Sequence, residues 1–346
     1  MNRRRLDIGF DVADPHARDL VVVAASAGGV EALRDLLARL PADLAASVLI
    51  VLHVPARGSG ALAGILDRAG PLEAAVATDG ERLRHGRVYV APPDHHLLVQ
   101  AEAVRLSRGP RHNGHRPAAD PLFLSAALYG GPRTLSVVLS GTLDDGARGC
   151  AAVERHGGLV AVQDPEESAF DGMPRAAIAA SVSPEVLTLK QIAEWIVLRG
   201  QGRTGEASMR DPEVEREVSL FLNQGRIEAP EGTLSGFSCP ECGGPIYETQ
   251  TRSDPRYECR VGHGWSAESM VVSQSEAVER ALWVAILRLE ERLRLLERMI
   301  RKAREQNRKY SFQRMVEEAE QTGQALETMR MLQSRISLAD PGVFFP

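Results

Sequence analysis

A doubly wound, mostly parallel α/β domain is the fold this sequence predicts, followed by a small cysteine-bearing module and an α-helical hairpin. Three observations predict it. Continuous apolar runs without polar alternation recur between residue 20 and about residue 197, as in strands covered on both faces. Helical patterns lie between several of these runs, which argues for βαβ units. Beyond residue 200 the alternation stops, and a C-x2-C pair, a C-x3-H pair and a long helical stretch follow.

Composition sets the bounds. A chain of 346 residues is long for one domain. Its 44% apolar and 25% charged residues are those of a soluble globular protein with a sizeable core. A formal net charge of -5 gives no electrostatic reason to expect nucleic acid. No apolar run approaches the ~18 residues of a membrane span. The start, "MNRRRLDIGF", lacks the apolar core and cleavage site of a secretory signal, so a cytoplasmic protein is expected. Four cysteines do not make a disulfide framework.

In chain order, residues 1–19 read as an N-terminal tail and residues 20–199 as the α/β domain. Strand runs fall at Leu20–Ala25, Ser47–His53, Arg87–Ala91, Thr134–Ser140 and Gly158–Gln163. Helical patterns fall at Val30–Leu40, Pro121–Tyr129, Ala147–His156 and Leu189–Leu198. In an open parallel sheet, functional residues collect beyond the carboxyl ends of the strands. The first run ends at Ser26, in "VVVAASAGGVEAL"; the second ends at His53; "TLSVVLSGTLDDGARG" runs into Asp144 and Asp145. Three strands thus deliver a hydroxyl, an imidazole and a carboxylate to one edge, the inventory of nucleophile, general base and orienting acid. Each residue also has a plain structural role open to it. Ser26 suits a strand-to-helix turn, His53 a satisfied polar position, and Asp144–Asp145 a turn and cap before Gly146. The coincidence of all three favours chemistry. Ser26 carries the second half of the G-x-S-x-G nucleophile elbow, and the helix start beside it offers backbone N–H groups to an oxyanion.

The segment from Leu20 to Val197 resembles the catalytic domain of the chemotaxis protein-glutamate methylesterases, the CheB family. The matching stretches are "ASAGGVEAL", "LHVP", "VYVAPPDHHLL", "PRHNGHRPAADPLFLSAA", "VVLSGTLDDGARG" and "FDGMPRAAI", in the family's order. The resemblance implies that Ser26 is the nucleophile, His53 the base and Asp145 the acid, with Asp144 at the neighbouring asparagine-like position. It puts the oxyanion loop on Gly141–Leu143, with Thr142 where a methionine is common, and a bordering loop on Gly172, Met173, Pro174 and Arg175. Ala27, Thr142, Met173 and Arg116 are the oxyanion and substrate contacts so expected; Arg116 is equally suited to a structural salt bridge. The implied activity removes methyl groups from glutamate esters on receptor signalling helices and, in many members, deamidates glutamines, with no cofactor for catalysis. Typical members carry a receiver domain first. Only about 19 residues precede the first strand, so a receiver-free member controlled by other means is expected. The alternatives are a deamidase acting on another protein, or a non-chemotactic regulatory scaffold that binds partners through the fold and the tail.

Residues 200–235 read as a linker with a short helix around Val214–Asn223. Within 236–270, "CPECGGPIYETQTRSDPRYECRVGH" supplies Cys239, Cys242, Cys259 and His263. This spacing is close to that of a zinc ribbon, and four protein ligands suit a structural zinc with no open position; a redox-active C-x-x-C is the alternative. Cys150 reads as a core thiol, and His95, His96, His112 and His115 as loop or cleft-wall residues. Residues 271–337 read as a helical hairpin or coiled coil, with Ser273 and Glu276 at capping-box spacing, and 338–346 as a tail. Leu282, Ile286, Leu289, Leu293, Leu296 and Ile300 form a heptad stripe; Met315, Ala319, Leu326, Met329 and Ile336 form a second, less regular one. Such stripes serve packing of the hairpin on itself, a homodimer or a partner helix, in a segment too polar to enter a membrane.

Overall fold

Leu20–Ala25 forms β1, buried at every residue, and after α1 (Gly29–Arg39) comes β2 (Ser47–Leu52), equally buried. The chain continues through α2 (Ala61–Asp67), β3 (Glu73–Val76), β4 (Arg87–Val90) and a hairpin of β5 (His96–Gln100) and β6 (Ala103–Ser107). Then follow α3 (Ala119–Gly130), β7 (Thr134–Val138), α4 (Ala147–Arg155), β8 (Leu159–Gln163), α5 (Gly172–Ala180), β9 (Glu185–Leu187) and α6 (Leu189–Gly200). Seven strands make one sheet in the order β3-β4-β2-β1-β7-β8-β9, and every neighbouring pair is parallel. The computed structural model describes residues 17–56, 60–200, 202, 204, 211–222, 230–250, 255–306 and 309–337. The N-terminal tail up to residue 16, the tail 338–346, Asn223 and most of the stretch 201–210 lie outside the described residues.

Side-chain alternation along β1 shows why the sheet is covered twice. Val22 and Ala24 join one apolar cluster with α3, α4 and α5. Val21, Val23 and Ala25 point the other way, into a cluster with α1, α2 and α6. The short strands β3 and β9 are partly exposed, so neither shows as an apolar run in the sequence.

The chain forms two compact units, Met1–Ser269 and Met270–Pro346, so the division falls far beyond residue 199. The helix α7 (Pro212–Leu222) places Val214, Val218 and Phe221 in the same core cluster as α3. Next, β10 (Thr233–Ser238), β11 (Pro245–Gln250), β12 (Pro255–Cys259) and β13 (Gly264–Trp265) form a four-stranded antiparallel sheet. Then comes α8 (Ala267–Glu305). It begins at Ala267, so Ser273 and Glu276 lie inside it, and their spacing is not a capping box. The cap is Ser266, whose Oγ accepts the Ser269 N–H at 3.1 Å.

In the second unit α8 runs against α9 (Lys309–Ser337). Ile286, Leu296, Ala303 and Leu326 are buried, and Leu282, Leu289, Leu293 and Ile300 are half-buried, so the stripe faces inward. Arg330–Glu290 and Arg292–Glu318 bridge the two helices at 2.6 and 3.4 Å.

Candidate active site

The glycines after Ser26 answer to close packing. Gly28 has φ 71°, and a Cβ there would lie 2.8 Å from Ala169 Cβ and Ser140 Oγ; one at Gly29 would lie 2.6 Å from Ala25 Cβ. Gly28 also occupies the N-cap of α1 with no side-chain cap, so the Ser26 hydroxyl is left for chemistry. The Ser26 N–H donates to the Ser140 carbonyl at 2.9 Å, tying the end of β1 to the segment after β7. His53 directly follows β2, its N–H on the Ala25 carbonyl at 3.2 Å. Asp145 comes from the loop between β7 and α4.

These three side chains meet. His53 Nδ1 is 3.0 Å from Ser26 Oγ, and His53 Nε2 is 2.7 Å from Asp145 Oδ2. An ionised carboxylate only accepts, so Nε2 carries the proton and the Nδ1 lone pair faces the hydroxyl. Asp145 is buried, and its oxygens also accept the Ala119 N–H at 2.6 Å and the Asp120 N–H at 3.2 Å, at the start of α3. Burial pushes its carboxyl up, but the imidazoles of His112 and His53 outweigh this and hold it well below the usual carboxylate range. Asp144 faces elsewhere and accepts from Ser269 Oγ at 2.9 Å. Desolvation raises it, and burial followed by the nearby Asp145 charge raises Asp120 to about 6.

Of the other expected contacts, Ala27 and Thr142 have N–H groups with no acceptor among the described residues. The Met173 N–H donates to the Gly141 carbonyl at 2.9 Å, which rules it out as an oxyanion donor. The Met173 side chain fills the space under Gly141, where a Cβ would come within 2.2 Å of its sulfur. Leu143 is held at φ 62°, the kind of local strain that collects at functional loops. Arg116 is not brought to the triad. Its Nε and Nη2 donate to Asp94 at 3.0 and 2.6 Å and its Nη1 to the carbonyls of Arg108 and Gly109, the salt-bridge role. Two residues read as loop or cleft wall touch the triad. His115 stacks on His53, and His112 Nδ1 lies 3.8 Å from Asp145 Oδ1. The signal for them was the Asn-Gly between the two histidines.

A second cluster joins Cys239, Cys242, Cys259 and His263, whose ligand atoms all lie within 4.8 Å of one another. Tight turns close both ends: Gly243 N–H to the Cys239 carbonyl at 2.8 Å and Gly262 N–H to the Cys259 carbonyl at 2.9 Å. The Cys239 thiol is drawn down to about 3, chiefly by the hydrogen bond from Cys259.

A parallel α/β sheet with a hydroxyl–imidazole–carboxylate relay beyond its carboxyl ends is the constellation of the serine hydrolases. The chain belongs to the CheB methylesterase family, whose model matches residues 21–196. It is similar to the protein-glutamate methylesterase/protein-glutamine glutaminase of Pyrococcus horikoshii, 36% identical over 198 residues, covering 55% of this chain and 54% of that protein. Another protein of that name, number 3 of Anaeromyxobacter dehalogenans, is 44% identical over 181 residues, with 52% and 53% covered. The crystal structure of the Thermotoga maritima CheB methylesterase catalytic domain matches 52% of this chain and 97% of that chain, at 32% identity and a TM-score of 0.49. The chain spans about half the length of the curated relatives it matches.

Proposed function

We propose that this protein is a serine hydrolase that removes methyl groups from glutamate methyl esters of signalling proteins and also deamidates glutamines. The observation that carries this reading is His53 bridging Ser26 and Asp145 at 3.0 and 2.7 Å. Ser26 Oγ attacks the ester carbonyl as its proton passes to His53 Nδ1. Asp145 holds Nε2–H and stabilises the imidazolium. The Ala27 and Thr142 N–H groups, which have no acceptor among the described residues, are the donors for the developing oxyanion in this reading. Methanol leaves with the proton from His53, or ammonia when the substrate is a glutamine. Water activated by His53 then cleaves the Ser26 acyl ester, releasing glutamate. The substrate is a protein, with methylated receptor helices or a related signalling protein as its class. No step needs a cofactor. The setting is the cytoplasm; no helix of the described residues is long and apolar enough to cross a membrane. Incubation with methyl-labelled receptor membranes should release labelled methanol; its absence, with a generic ester also untouched, would leave the scaffold reading.

Cys239, Cys242, Cys259 and His263 fit a structural zinc. The separations are 3.6 Å for Cys242–Cys259 Sγ, 3.7 Å for Cys239 Sγ–His263 Nδ1 and 3.5 Å for Cys259 Sγ–His263 Nδ1. A tetrahedron with bonds of about 2.3 Å has edges of about 3.8 Å. Bound there, the metal cross-links the two turns and leaves no open position. Metal analysis should find about one zinc per chain, and chelation should unfold the β10–β13 sheet while the seven-stranded sheet stays folded. Zinc-free protein with a Cys239–Cys242 disulfide would reverse the assignment.

The hairpin of α8 and α9 serves self-association or recruits the target, and supplies no catalytic group. In support, Trp283, Leu287 and Leu295 of α8 are exposed apolar residues, more than a solvated hairpin needs. Truncation after Arg280 should keep hydrolysis of a small ester but lose protein demethylation or oligomerisation. Truncation after Arg199 also strips Val214, Val218 and Phe221 from the core and should fail on both substrates. Full protein demethylation and an unchanged oligomeric state after Arg280 truncation would leave the hairpin without this role.

A further inference from the structure

The turn that carries His112 and His115 is built as a unit. His112 N–H and His115 N–H donate to each other's carbonyls at 3.1 and 2.8 Å. Asn113 and Gly114 between them have φ 49° and 77°, the positive pair of a type I′ hairpin turn and the reason for Asn-Gly. One end lays the His115 ring on His53, with centroids 3.8 Å apart and planes within 7°. The other end sets His112 beside Asp145.

The cysteine-bearing sheet grips this turn from behind. Asn113 N–H donates to the Gly264 carbonyl at 2.8 Å, and Gly264 N–H to the Arg111 carbonyl at 3.4 Å. Ser266 N–H donates to Asn113 Oδ1 at 3.0 Å. Gly262 and Gly264 lie against Pro110 and His112, close enough that Cβ atoms there would come within 2.8 and 3.2 Å of those side chains. These two glycines flank His263 of the Cys3His cluster. On the far side, Arg256 of β12 pairs with Glu217, whose carboxylate lies 3.8 Å from His112 Nε2.

We propose that His115 is a positioning residue for His53, and that the cysteine-bearing sheet sets its place by fastening the Asn113–Gly114 turn. This rests on the hydrolase reading above. His53 must keep two bonds from opposite edges of one ring, and the stacked face of His115 removes the freedom to tilt away from either. Burial, then the neighbouring His53, lowers His115 to about 4, so the stack is with a neutral ring at neutral pH. A misplacement of about 1 Å is enough to cost up to about a hundredfold in rate.

The test uses the full chain, p-nitrophenyl acetate turnover, and covalent labelling of Ser26 by a fluorophosphonate. His115→Ala should lower kcat and the labelling rate about tenfold with KM unchanged. His115→Phe, which restores a flat ring, should recover most of the loss. Asn113→Gly keeps the backbone conformation but loses the bond from Ser266, and should fall in the direction of His115→Ala. Proton NMR of the His53 ring gives a readout apart from turnover: its ring-current shift should be lost in His115→Ala and on chelation of the Cys3His cluster. Wild-type rates in His115→Ala, a phenylalanine no better than alanine, or an unmoved His53 signal after chelation each overturn the proposal. If His115→Ala does not fold, the Phe and Asn113→Gly variants decide. Wild-type protein that is not labelled at Ser26 overturns the hydrolase reading itself.

Discussion

Ser26→Ala should abolish methanol release and leave the protein folded. Removing the nucleophile of a triad costs roughly 10⁶ in kcat, and the remnant comes from binding and oxyanion stabilisation alone. The fold has little stake in the hydroxyl. Its partner among the described residues is His53 Nδ1, the α1 cap is Gly28, and the bond from residue 26 to Ser140 is made by the backbone. The stability change should therefore stay near that of one hydrogen bond, about 1 kcal/mol. Methanol release and a thermal melt on the same preparation check both halves. Wild-type turnover in this variant would remove the serine mechanism, and unfolding would show that the turn depends on the hydroxyl.

The sequence made the sheet centre legible because buried strands advertise themselves. β1 is an unbroken apolar run, β2 is apolar after Ser47, and β7 is buried throughout although Thr134 and Ser136 interrupt it. Ser26 and His53 directly follow the first two, and Asp145 lies in the loop after the third. β3 and β9 sit at the sheet edges with exposed positions, so no apolar period marks them. The choice between Asp144 and Asp145 needed the matching loop of a known family, since either aspartate satisfies the turn. Spacing alone could not show which one the start of α3 would hold by its amides. Ser273 misled because S-x-x-E inside a long helix looks like a cap, whereas the helix starts at Ser266 with S-x-x-S. The largest misreading was of reach. Val214, Val218 and Phe221 follow a helical period, yet nothing local tells a core helix from a linker helix. The Asn-Gly pair at 113–114 is a hairpin-turn signal that the sequence reading passed over, and its two histidines gain meaning only when His53 and Asp145 arrive from distant strands.

Asp145→Asn should reduce kcat by roughly 10⁴ while binding changes little, the loss expected when the orienting carboxylate of a triad is replaced. Asp145 Oδ2 accepts both His53 Nε2–H and the Ala119 N–H, and Oδ1 accepts the Asp120 N–H. An asparagine has one oxygen for these two places. With its NH2 toward His53, the imidazole moves its proton to Nδ1 and can no longer accept from Ser26. With its NH2 toward Asp120, it opposes an N–H donor and the imidazolium still loses its counter-charge. The variant should also change stability against pH. A carboxyl held below its unfolded value of ~3.9 contributes stability above that value and loses it as pH falls through the folded value. Asp145 is lowered in this way, so the stability gap between wild type and variant should be widest near neutrality and shrink in acid. Asp144→Asn is the internal contrast. Asp144 accepts from Ser269 Oγ and is raised by burial, so its replacement should leave kcat within about tenfold of wild type. Denaturant melts near neutrality and in acid, with kcat for both variants, read these expectations together. Equal losses in kcat would mean that both aspartates serve the base; a large loss for Asp144 alone would move the acid to that residue.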